Sequence, residues 1–95
     1  MFYSEYARHC MKFYTRHPQP QFRNEVDRMN WRACESAVRK CTENERAILR
    51  SVYGRGDTIA DNVYQTAKAF GVEQNLVWKL IKEVERRVAK RRMLI

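Results

Sequence analysis

The sequence predicts an all-α fold of about five helices that ends in a helix-turn-helix. Three observations predict it. Apolar residues recur at three- and four-residue spacings almost throughout, no stretch sustains strand alternation, and a capping box at Thr42–Glu45 and a glycine at Gly71 mark helix ends. At 95 residues the chain has the scale of one domain with a modest core. Its hydrophobic fraction of 44% is that of a folded protein, and its low mean hydropathy reflects 32% charged residues rather than disorder.

Phe2/Tyr3, Tyr6, Cys10, Phe13/Tyr14 and His17 trace one face of a first helix, which Pro18-Gln19-Pro20 must end. Asn24, three residues before Asp27, is a capping-box-like start for a second helix that runs to about Lys40. Val26, Met29/Asn30, Ala33 and Ala37 line that helix, with Trp31, Cys34 and Val38 widening its face. Thr42-Glu43-Asn44-Glu45 is a full capping box, and Ala47, Ile48, Val52 and Tyr53 bury the third helix behind it. After the loop Gly54-Arg55-Gly56-Asp57, either Asp57 or Asp61 can cap a fourth helix carrying Ile59, Val63, Ala67 and Phe70. Gly71 suits the left-handed turn that follows, and a fifth helix runs from about Gln74 to Arg91.

Charge points to polyanions. The net charge is +8, and it is unevenly placed: residues 1–45 carry a net +2 and residues 46–95 a net +6. No apolar run is long enough to span a bilayer, and the opening residues lack the basic-then-apolar order of a signal peptide. Cys10, Cys34 and Cys41 are an odd number without CxxC spacing, which fits reduced thiols in a cytoplasmic protein. With His9 and His17 they have no zinc-site spacing, so no metal or other cofactor is expected. No acid, base or nucleophile set is spaced for chemistry, and the reading is non-enzymatic.

The functional constellation lies at residues 63–91. A helix-turn-helix needs a small residue where its helices cross, and Ala67 provides one; its turn needs a residue tolerant of positive φ, and Gly71 is one. Val72, Val77, Leu80/Ile81, Val84 and Val88 form the stripe to be buried, leaving Glu73, Gln74, Asn75, Trp78, Lys79 and Lys82 outside. Gln74 and Asn75 can read adenine, and Lys79 can address guanine or a phosphate. Lys79, Lys82, Arg86 and Lys90 fall on one face at spacings of three, four and four, flanked by Arg87 and Arg91, and can follow a phosphate backbone, partly neutralised by Glu83 and Glu85.

Residues 42–92 resemble the promoter-binding, C-terminal helix-turn-helix region of bacterial sigma factors and related response-regulator output domains. The resemblance is carried by Glu45-Arg46-Ala47-Ile48-Leu49, similar to the opening helix of that family, by Ala67-Lys68-Ala69-Phe70-Gly71-Val72, similar to its turn, and by Val77 with the Val84/Val88 tail. The chain departs from the pattern at Cys41, where Leu is usual, in the longer stretch from Tyr53 to Ala67, at Glu73, where Ser or Thr is common, and at Trp78. Residues 1–41 do not resemble the sigma regions that bind polymerase core, and are read as helices that brace the module or form a dimer.

The resemblance implies a small DNA-binding transcriptional regulator of bacterial, phage or mobile-element origin, with duplex DNA as partner. A rival of another class is an inhibitor or adaptor that uses the same helices to occupy RNA polymerase or another nucleic-acid enzyme, as small anti-CRISPR proteins do; Glu73 and Trp78 favour it. The aromatics of the first 14 residues (Phe2, Tyr3, Tyr6, Phe13 and Tyr14) with Arg8, Lys12 and Arg16 admit base stacking, but their helical spacing favours a core or dimer face.

Overall fold

Five helices succeed one another in the computed structural model, which describes residues 3–17 and 21–95: α1 (Tyr3–Arg16), α2 (Glu25–Val38), α3 (Glu43–Gly54), α4 (Ile59–Phe70) and α5 (Gln74–Arg91). Phe2 and the Pro18-Gln19-Pro20 terminator lie outside the described residues; α1 ends at Arg16, just before them. None of the described helices is long and apolar enough to cross a membrane.

Local chemistry sets most of the helix starts. The Asn24 side chain accepts from the Asp27 amide at 2.9 Å. Thr42 accepts from the Glu45 amide at 3.1 Å while the Glu45 carboxylate accepts from the Thr42 amide at 2.8 Å, so two orphan donors are satisfied reciprocally. At α4 the cap is neither Asp57 nor Asp61 but Thr58, whose hydroxyl accepts from the Asp61 amide at 3.2 Å. Thr58 immediately precedes the first helical residue, the one place from which a short side chain reaches that amide.

The core forms around α5, which packs on all four other helices. Val77, Ile81, Val84, Val88 and Ala89 are fully buried on it. Val77, Ile81, Val84 and Val88 form one core cluster with Ala7, Cys10 and Met11 of α1, Ala33, Cys34, Ala37 and Val38 of α2, Ile48, Leu49, Val52 and Tyr53 of α3, and Val63 and Ala67 of α4. The alanines keep the crossings close, and each fully buried Val or Ile contributes about 1.5–3 kcal/mol. The radius of gyration, 12.7 Å, is that of a well-packed chain of this length.

Three expected faces turn out differently. Of the face expected on α2, Asn30, Ala33, Cys34, Ala37 and Val38 are buried, but Val26 and Met29 lie at its edge, 51% and 42% exposed. Asn30 can sit inside because its amide donates to the Tyr6 hydroxyl and its carbonyl oxygen accepts from Arg92 Nε at 2.7 Å. Glu85, expected among the neutralising surface acids, is 1% exposed. Its carboxylate accepts two bonds from Arg8, at 3.0 and 3.1 Å, and one from the Tyr53 hydroxyl at 2.7 Å. Trp78, expected outside, is half-buried and packs against the core.

Of the described aromatics of α1, Tyr6 and Tyr14 belong to a packing face while Tyr3 is exposed. Tyr6 and Tyr14 lie against the core, with their hydroxyls bonded to Asn30 and Glu35. Tyr14 and Phe22 both meet Trp31, at ring-centroid distances of 5.3 and 5.9 Å, and the Trp31 indole N–H donates to the His17 carbonyl. Cys10 and Cys34 are buried on apolar faces, as their positions predict.

Candidate nucleic-acid interface

Helices α4 and α5 are joined by the three residues Gly71, Val72 and Glu73. Gly71 adopts φ 66°, ψ 33°, the left-handed conformation open to a residue without Cβ. Its amide bonds Lys68 O at 3.4 Å and the Val72 amide bonds Ala67 O at 3.0 Å, the paired pattern that closes a helix C-terminus before the chain turns. Ala67 is buried at this junction, as its size requires. Ser51 and Thr66 share a hydrogen bond of 2.8 Å between α3 and α4, and the Asn62 amide donates to Arg55 O and Asp57 O, holding the connecting loop against α4.

The structure divides the candidate residues between two regions of α5. Gln74 and Asn75 are exposed at its first turn, beside Tyr64, Ala67 and Lys68 of α4. Glu73 stands at the cap position but makes no side-chain cap bond. Lys90 and Arg91 are exposed at the other end, roughly 24 Å away at about 1.5 Å rise per residue. Lys79, Lys82, Arg86 and Lys90 are all exposed and form a continuous stripe along one face between the two ends.

Within the stripe the charges are not equivalent. Arg86 forms a bidentate pair with Glu83, at 2.9 and 3.3 Å, which holds the Glu83 carboxyl below its ordinary range. Arg87 is half-buried, bonding Glu83 through Nε at 3.2 Å and the Ala37 carbonyl of α2 through Nη1 at 3.2 Å. Lys79, Lys82, Lys90 and Arg91 form no ion pair among the described residues and remain available to an outside anion. Trp78 is half-buried, with one side packed against the core.

Two participants escape a reading of the sequence. Ser36 and Lys40, from the end of α2 and just beyond it, line a groove with Arg86, Arg87, Lys90 and Arg91, and no acidic side chain among the described residues lines it. Lys40 is visible in the sequence as a basic residue, but its place beside Arg86, Arg87, Lys90 and Arg91 is a product of tertiary packing. Leu76 is 50% exposed on the first turns of α5, bordering a shallow groove with Val72, Leu80, Cys41 and Lys79.

No family model matches the chain, and neither a curated protein nor a solved structure shows significant similarity to it.

Proposed function

We propose that this protein binds duplex DNA through α5, as a small helix-turn-helix regulator. One observation carries the reading: the exposed stripe Lys79, Lys82, Arg86 and Lys90 runs along the helix that follows a glycine-closed three-residue turn and ends at a basic groove shared with Lys40. Phosphates along one strand meet these cations and release condensed counterions, while Gln74 and Asn75 at the helix start are offered to base edges in a major groove about 12 Å wide. The stripe lies along the helix, so α5 binds with its long axis following the groove rather than entering end-on. Glu73 opposes this at one point, next to the bases, and limits affinity rather than position.

The test is selection from a random duplex pool with sequencing of the bound fraction. An enriched motif that disappears in Gln74→Ala/Asn75→Ala, with binding retained at low salt, supports the assignment. Retention of the motif in that variant contradicts it.

A second reading, an adaptor or inhibitor that binds a nucleic-acid enzyme, is favoured by Leu76 and Tyr64, 50% and 47% exposed near the turn. It predicts that Leu76→Lys abolishes binding to a protein partner and leaves low-salt DNA affinity unchanged or raised.

A further inference from the structure

A cleft of about 350 Å³ opens between α1, α2 and α3, remote in the chain from the turn and from α5. Its floor is apolar (Met11, Val38 and Leu49), and Tyr14 and Trp31 form an aromatic wall. Its volume is at the lower end for small-ligand pockets, with room for a body of roughly one or two rings.

The polar groups around it are unevenly matched. Glu35 accepts the Tyr14 hydroxyl, and neither Arg46 nor Arg50, on the facing helix, pairs with a carboxylate among the described residues. Arg46 donates through Nη2 to the Arg39 carbonyl at 3.0 Å, while its Nε–H is buried with no acceptor among the described residues. An anion entering the cleft therefore meets an Arg46 guanidinium that no carboxylate neutralises among the described residues.

We infer that this cleft binds a small organic monoanion, an aromatic body carrying one carboxylate, with the ring against Tyr14 and Trp31 and the carboxylate on Arg46. A carboxylate fits better than a phosphate because Glu35 lies on the same rim and repels a dianion more strongly. The apolar floor excludes a strongly hydrated ion without an organic body. This site is independent of the DNA reading and stands or falls separately from it.

The experiment is an amide-resolved NMR titration of the full chain with 3-phenylpropionate, 3-phenylpropionamide and phenyl phosphate. The Trp31 indole signal is assigned by Trp31→Phe. The expected result is a saturable shift at Trp31 and Leu49 with the carboxylate, roughly tenfold or more weaker with the neutral amide. Arg46→Gln should remove that preference, and Thr15→Phe, which narrows the cleft while leaving Arg46 in place, should weaken all three ligands. Equal affinity for acid and amide, tighter binding of the phosphate, or no saturable shift with any probe overturns the proposal.

Discussion

Arg8 and Glu85, 77 residues apart, join the first helix to the last through two parallel hydrogen bonds of 3.0 and 3.1 Å, with the Glu85 side chain 2% exposed. The Tyr53 hydroxyl takes a further position on the same carboxylate, so α1, α3 and α5 converge on one buried charge. Such a group tolerates burial only while its partners stay in place.

Arg8→Met strands that charge and should destabilise the fold by about 3 kcal/mol. Arg8→Met/Glu85→Gln removes the charge but keeps an acceptor for Tyr53, and should recover about half of the loss. Urea unfolding midpoints of the two variants check this; equal midpoints would show that the pair is not coupled.

Alkaline pH should weaken the fold. Burial pushes the Cys10 thiol up to about 11 and raises Cys34 and Tyr53 as well, the latter also through its bond to the Glu85 carboxylate. Each is held neutral in the folded chain and loses its proton more easily when unfolded. The two thiols' contribution is therefore complete below the ordinary thiol range and is lost as pH rises from there through their raised folded values, about 11 for Cys10, while that of Tyr53 falls only above the ordinary phenol range near about pH 10, each by at most about 1.4 kcal/mol per pH unit. The urea midpoint should fall between pH 7.5 and pH 10, less steeply in Cys10→Ala/Cys34→Ala. At pH 8 a thiol reagent should modify half-buried Cys41 well before Cys10 and Cys34.

Two helix ends leave stability unrealised. Met93 closes α5 at φ 61°, a left-handed conformation that suits glycine, with the Leu94 amide on Ala89 O at 2.8 Å. Met93→Gly should stabilise by about 1 kcal/mol, and Gly71→Ala at φ 66° should destabilise by a similar amount. Glu73→Ser supplies the missing cap of α5 and should add about 0.5–1 kcal/mol. Thermal unfolding of the three variants gives the signs. By removing an acid beside the offered base readers, Glu73→Ser should also raise DNA affinity.

Most local signals are legible in the sequence, the α4 cap excepted, where Thr58 takes the place expected of Asp57 or Asp61. The Thr42–Glu45 box, the Asn24 cap and the Gly71 turn depend on residues within about one helical turn of each other, and the extent of α5 follows from a helical spacing continuous along the chain. What depended on partners far along the chain was not legible. Glu85 looks like a surface acid until Arg8 and Tyr53 arrive, and Met29 looks like a core residue until Asn30 is seen bonded to Tyr6 and Arg92. The same holds at the candidate interface. Helical spacing placed Lys79, Lys82, Arg86 and Lys90 on one face, but only packing shows Arg87 spent on Ala37 O, Trp78 turned to the core, and Lys40 beside Arg91.

The most direct measurement is duplex-DNA affinity across a salt series for the natural chain and for Lys79→Ala/Lys82→Ala/Lys90→Ala, with helicity checked by circular dichroism. If the stripe lies on phosphates, log K falls steeply with log salt in the natural chain, and the slope of the folded triple variant is shallower by about 2.7. An unchanged slope, or no binding by the natural chain even at low salt, would contradict the account.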